Sequence, residues 1–164
     1  MKEIQLTQGK VALVDDEDYD ELMKYKWCVV KIGNIYYASR KVWNKDKKQG
    51  RMSSMHRCIV KTPEGMETDH INGNGLDNRR CNLRICTKQE NRFNQFKKMG
   101  TSSNYKGVYY NTQIEKWKAH IKYNRIDYYL GDFKLEEDAA RAYNEKAKEL
   151  FGEFAKLNIL DEQR

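Results

Sequence analysis

The sequence predicts an α+β chain: a β-rich N-terminal region supports a small unit of two strands, a loop and a helix, and a three-stranded antiparallel sheet packed on one helix follows. Three patterns carry this reading. β-Branched and aromatic runs are parted by short turns such as Gly33-Asn34, Thr87-Lys88-Gln89-Glu90 has the reciprocal pattern that opens a helix, and alanines with larger apolar residues recur at helical spacing from Leu135 onward. A chain of 164 residues, 39% apolar and 34% charged, suits one or two small domains and no large core.

Strand-like runs open the chain at 3–6 and 11–14, and the acidic segment 15–24 reads as a turn and short helix. The runs 27–32 and 35–42 are two residues apart, the spacing of a hairpin. The Lys-rich stretch 44–51 reads as an exposed loop, solvated or resting on a phosphate backbone. Pro63 begins a turn into a strand end at 66–69, Asn72-Gly73-Asn74-Gly75 forms a loop, and 82–86 is a second short strand. The capping box then predicts a helix from Lys88 to about Phe96. A unit this small needs the preceding region as support. Met99-Gly100-Thr101-Ser102-Ser103 has linker composition, which divides the chain into 1–98, with the central unit at about 55–98, and 104–160.

Beyond the linker, strands are expected at 107–111, 116–123 and 126–133, and a helix over 135–151 ended by Gly152. Along the middle strand Trp117, Ala119, Ile121 and Tyr123 share the face that meets the helix. Lys116, Lys118, His120 and Lys122 share the other, open to a ligand.

No apolar run reaches the roughly 18 residues of a membrane span, and Met1-Lys2-Glu3-Ile4-Gln5 lacks the apolar core of a signal peptide, so a cytoplasmic protein is expected. Cys28, Cys58, Cys81 and Cys86 show no Cys-x-x-Cys spacing and read as reduced, mostly buried thiols ahead of zinc ligands. The net charge of +7 sits in the first 98 residues. The balanced remainder conceals a basic stretch, 104–125, with five bases and one acid, ahead of an acid-rich end. Clustered cations interleaved with tyrosine and tryptophan are the footprint expected on a phosphate backbone, although a merely soluble surface is also basic.

Ligand-type side chains concentrate in Asp69-His70-Ile71-Asn72-Gly73-Asn74, in Asp77-Asn78-Arg79-Arg80-Cys81-Asn82-Leu83-Arg84, and at Asn91 on the capped helix. An Asp-His pair by itself is most often a turn carboxylate beside a surface histidine; Asn82, Asn91 and the capping box turn that reading toward a site. Together with Met55-His56-Arg57 upstream, these residues resemble the HNH (His-Asn-His) nuclease motif, in the variant whose last His is Asn, as in phage and intron-encoded homing endonucleases. The resemblance spans roughly 6–94.

It implies a ββα-metal unit in which Asp69 and Asn91 hold one divalent cation, Mg2+ or Mn2+, as an oxygen-only set suits. It also implies His70 as general base toward the attacking water and Asn82 as the residue that ties the loop and aims it. Arg79, Arg80 and Arg84 become candidates for clamping phosphate, some of them pairing with local acids instead. Strand neighbours point to opposite faces, so Asp69 and His70 can share a site only if the strand ends there. His56 reads as a buried, hydrogen-bonded neighbour of the site, with DNA contact as the alternative.

Asn104-Tyr105-Lys106-Gly107-Val108-Tyr109, Lys116-Trp117-Lys118-Ala119-His120-Ile121, Tyr129-Leu130-Gly131-Asp132-Phe133 and Glu137-Asp138-Ala139-Ala140-Arg141-Ala142-Tyr143 resemble the APETALA-two/ethylene-response-factor DNA-binding domain over roughly 103–158. That family lays the free face of its sheet in the DNA major groove, which would put Lys106, Tyr109, His120, Lys122 and Tyr129 against DNA. Trp117 and Phe133 read as core.

The two resemblances together imply a metal-dependent endonuclease of the homing type acting on double-stranded DNA and leaving 5′-phosphate and 3′-hydroxyl ends. A DNA-binding regulator with a non-catalytic nuclease motif is the alternative, and an RNA-directed nuclease a weaker third, because the sheet suits B-form DNA. One site per chain favours a monomer that nicks, with a dimer needed for two cuts.

Overall fold

The computed structural model describes residues 1–44, 48–97 and 100–160. The chain falls into two units, Met1–Asn91 and Arg92–Arg164, both of mixed α and β structure as expected.

In the first unit, β1 (Lys2–Gln5) and β2 (Val11–Val14) form a hairpin, followed by α1 (Asp16–Met23). β3 (Cys28–Ile32), β4 (Ile35–Asn44) and β5 (Gln49–Ser54) make an antiparallel sheet in that order. The two-residue hairpin stands where its spacing placed it, with Ile32 opposite Ile35. β5 replaces much of the loop expected over 44–51: Asn44 pairs with Gln49 and Val42 with Arg51, so the long strand β4 finds a backbone partner despite the polar sequence. Residues 45–47 of that stretch lie outside the described residues.

A short helix with no strong sequence signal, α2 (Met55–Ile59), follows, anchored by buried Met55, His56 and Ile59. β6 (Glu67–His70) and β7 (Leu83–Cys86) pair antiparallel, and α3 (Lys88–Phe93) begins on the expected box. Thr87 Oγ1 accepts from the Glu90 amide at 3.2 Å, and Glu90 accepts from the Thr87 amide at 2.7 Å. The helix ends at Phe93, short of Phe96. Leu83 of β7 shares one core with Ile4, Val14, Trp27, Val29 and Met55, so the N-terminal strands supply the apolar burial that the small unit lacks.

In the second unit, β8 (Val108–Asn111), β9 (Lys116–Tyr123) and β10 (Ile126–Phe133) form an antiparallel sheet with β9 central. Across one face lies α4 (Glu136–Phe151), starting one residue later than expected with Leu135 as its N-cap. Its first turn is acidic, which suits the positive end of a helix. Ala119 meets Ala139 and Ala140 with all three fully buried; side chains this small bring helix and sheet close together. Gly107 is part of the same fit: its φ is +75°, and a Cβ there would lie 2.0 Å from the Tyr143 ring. Phe93, the last residue of α3, stacks on Phe151 at 3.9 Å and 8°, so that helix end belongs to this core. The Ser-rich end of segment 99–103 is packed into the unit as well: buried Ser103 donates to Glu136 at 2.6 Å, and Ser102 accepts from the Tyr110 amide.

Candidate active site

β6 ends at His70. Asp69 and His70 occupy opposite faces of the last strand residues, yet the Asp69 charge still acts on the His70 imidazole. Asp69 lies opposite Arg84 in the β6–β7 register and takes two hydrogen bonds from that guanidinium on Oδ2, at 2.9 and 2.7 Å. Both are nearly enclosed, and each supplies the other's counter-charge.

His70 is buried against two other rings. His56 of α2 meets it edge-on at 4.9 Å, and Tyr37 of β4 touches both histidines at 5.8 Å. Burial lowers the His70 pKa, opposed by the Asn78 bond and by the charges of Asp69 and Asp77. The imidazole is therefore neutral at neutral pH. Asn78 donates its amide to the Leu76 carbonyl at 3.2 Å, which turns its Oδ1 toward His70 Nε2, 3.5 Å away. An amide oxygen at that nitrogen can accept from an Nε2–H.

The loop between β6 and β7 is fixed from several sides. Asn82 accepts from the Asn72 amide at 2.9 Å and donates to the Asp77 carbonyl at 2.8 Å, spanning the loop. Leu13 of β2 donates to the Leu76 carbonyl and accepts from the Asn78 amide, so the N-terminal hairpin holds the segment that faces His70. Gly75 lies on β4, where a Cβ would come within 2.6 Å of the Tyr37 ring.

Asn91 of α3 donates its amide nitrogen to Glu67 Oε2 at 2.6 Å, and Glu67 stands two residues before Asp69 on the same face of β6. The side chains gathered there offer oxygen: two carboxylates and the amide oxygen of Asn91. Oxygen donors of this kind suit a hard cation that keeps several waters, while Asp69 Oδ2 is already taken by the Arg84 guanidinium. Among the described residues no three His, Cys, Asp or Glu side chains come together in a group that could hold a metal ion.

His56 is buried as expected, but its Nδ1 has no hydrogen-bond partner among the described residues; ring contacts hold it instead. Burial, His70 and Arg57 push its pKa down to about 3. The three arginines proposed for phosphate are all engaged by carboxylates: Arg79 with Asp77, Arg80 with Asp18 and Glu17, and Arg84 with Asp69. Of the thiols, Cys86 is buried, Cys28 and Cys58 half-buried and Cys81 exposed, the last unlike the expectation.

In the second unit Tyr109, His120 and Tyr129 lie together on the sheet face away from α4. Tyr129 is opposite His120 in register and 61% exposed, and the Tyr109 ring meets His120 edge-on at 5.3 Å. Lys118 and the exposed Lys116 and Lys122 complete that face. Lys106 is not on it. Its ammonium donates to the carbonyls of Phe93 and Gln95, both at 2.8 Å, and burial pulls its pKa down to about 8.

Sequence reasoning assigned no role to Asn78, Glu67 or Tyr37. Asn78 stands inside the quoted motif, and Glu67 could be found from the two-residue period of a strand ending at Asp69. Tyr37 comes from a different sheet and carries no local signal.

Residues 61–93 match the HNH endonuclease family. The chain is 37% identical over 160 residues to an uncharacterized HNH endonuclease of Acanthamoeba polyphaga mimivirus, an alignment covering 94% of this chain and 78% of the relative. It is 30% identical over 95 residues to protein 3.8 of Escherichia phage T7, covering 58% of this chain and 78% of that protein. No solved structure matches it. Among the described residues no helix is long and apolar enough to cross a membrane. With the matched segment running from the end of α2 through α3, and the viral relative aligned across nearly the whole chain, the protein belongs to the HNH endonuclease family and is a nuclease.

Proposed function

We propose that the chain is a metal-dependent, homing-type endonuclease that hydrolyses a phosphodiester of double-stranded DNA, leaving 5′-phosphate and 3′-hydroxyl ends. The observation that supports this most directly is the buried imidazole at the end of β6, held at Nε2 by Asn78 on a loop that Asn82 ties down at both of its amide atoms.

His70 takes the proton from the attacking water, and Asn78 steadies the imidazole from its Nε2 side. A neutral ring is ready to accept that proton at neutral pH, which is what burial secures. Asn82 keeps the loop from shifting the imidazole, since both of its amide atoms are committed to loop backbone. Asp69 and Asn91 are the residues that would hold a divalent cation, and Mg2+ or Mn2+ bound there would supply positive charge to the phosphate and to the departing 3′ oxygen.

Residues 1–98 form the cutting domain and 104–160 the gripping domain on this reading. The sheet of the second unit, similar in sequence to the APETALA-two/ethylene-response-factor domain, lays Tyr109, His120, Lys122 and Tyr129 on the major groove. Lys106 supports that domain from behind. The protein acts in the cytoplasm as a monomer whose single site nicks one strand.

Plasmid cleavage with Mg2+, repeated with EDTA, tests the reading. His70→Ala is expected to lower the rate by about 100- to 10,000-fold while still retarding DNA on a gel. Equal cutting by the variant would remove His70 as base. DNA retardation with no cutting by the wild type would make the chain a DNA-binding regulator, and products that ligate without end repair are expected from the stated ends.

A further inference from the structure

The three arginines of the nuclease motif are committed to carboxylates, which raises the question of what in the first unit holds the substrate's phosphates. One cleft is built differently. It has a volume of about 590 Å³ and is lined by Arg51, Ser53, Arg57, Cys58, Lys61 and Glu64, among others. Arg51, Arg57 and Lys61 are exposed, and none of them is in an ion pair among the described residues. Glu64 is the only acidic residue in the lining.

Two features shape this cleft. Arg57 Nη1 donates to the Met66 carbonyl at 3.1 Å, which steadies its guanidinium beside the entry to β6. Lys61 has φ +48°, a left-handed conformation that side-chain-bearing residues seldom adopt, and it stands just beyond the end of α2. The same helix carries His56, whose ring meets His70 at 4.9 Å. The cleft and the imidazole are thus joined by one turn of helix.

We infer that the cleft formed by Arg51, Arg57 and Lys61 binds the phosphodiester backbone of the DNA strand being cut, in place of Arg79, Arg80 and Arg84. The inference rests on the nuclease reading for its substrate. Cations without carboxylate partners exchange counterions for phosphate, and the Ser53 hydroxyl at the same wall adds a neutral donor.

The test is duplex binding by the full chain in EDTA, measured by fluorescence anisotropy across a salt series. For R51Q/R57Q/K61Q the slope of log affinity against log salt is expected to fall by about 2 to 3, near 0.9 for each phosphate that is no longer neutralised. In cleavage with Mg2+ the same variant should show a KM raised at least tenfold and kcat within about threefold of wild type. Lys148→Gln on the acid-rich helix α4 should leave the slope unchanged, and Arg57→Lys alone should keep the wild-type slope, because phosphate reads charge. Circular dichroism monitors the fold; should the triple variant unfold, R51Q and K61Q are taken singly, each lowering the slope by about 0.9. A wild-type slope in these variants, or an equal loss in Lys148→Gln, overturns the inference. Wild-type protein that binds but never cuts overturns the nuclease reading instead and leaves the slope comparison intact.

Discussion

The nuclease motif and the sheet of the second unit are built from similar residues used in opposite ways. Around His70 the charged and amide side chains are spoken for: Arg84 by Asp69, Arg79 by Asp77, Asn82 by two loop backbone atoms, Asn91 by Glu67. On the open face of β8–β10 the contacts are longer and wetter, with Lys118 3.8 Å from Asp132 and His120 3.4 Å from Asp127, and Tyr129 stands largely in solvent. Chemistry at one bond asks for side chains that cannot move, whereas gripping a polyanion asks for cations that can leave a weak partner for a phosphate. An arginine's partner, more than its presence, tells which of these it serves.

The largest break in this contrast is expected from Asn82→Ala. The change deletes the two bonds that span the loop and leaves the Asp77 carbonyl buried without its donor, at a cost of about 2–3 kcal/mol. Cleavage should fall by about two orders of magnitude, because the loop carries Asn78, which holds His70. Thermal melts and single-turnover cleavage read the two effects; a variant unchanged in both would show that the β2 contacts hold the loop without Asn82.

A second test concerns the two histidines that meet edge to face. The His56 pKa of about 3 lies far below the ordinary value near 6.5, so between those values the unfolded chain binds a proton that the folded chain refuses. Stability is complete above about pH 6.5 and is lost as pH falls toward 3. His56→Phe keeps a ring at the site and removes the titration, so it should flatten the dependence, gaining up to about 2 kcal/mol on wild type at pH 4.5 relative to pH 7. Urea melts at the two pH values measure this. Parallel losses in both proteins would place the acid sensitivity elsewhere, His70 included.

Much of the fold was legible because its signals are local. The hairpin at Gly33-Asn34, the capping box at Thr87 and the alternation along β9 each lie within a few neighbouring residues. β5 was not legible, since Gln49-Gly50-Arg51 has no strand composition and becomes a strand only through β4. α2 is too short for a helical period to show. In the site, the ligand-type residues could be picked out by type and spacing, and they sit on β6, the loop, β7 and α3. Their partners could not. Arg80 is bound by Asp18 from 62 positions away, and Tyr37 reaches the histidines from a separate sheet. Arg80 and Arg84 therefore looked like phosphate clamps in a string of letters, although the fold had already given them carboxylates.

The smallest expected effect tests the open side of the comparison. Lys118 and Lys122 share the exposed face of β9, and removing both as Lys118→Gln with Lys122→Gln takes away charge without opening a cavity, since neither belongs to the core that Ala119 and Ile121 build beneath. If that face lies on DNA, affinity should drop about three- to tenfold near physiological salt, and the salt slope by up to about 1.8. The kcat at saturating DNA should stay as it was, because the lysines act on binding alone. Melting should also be unchanged, given that Lys118 meets Asp132 only at 3.8 Å across partly solvated surface. A loss of kcat with the slope intact would mean that the lysines act through the fold of the second unit and that its sheet is not where DNA is held.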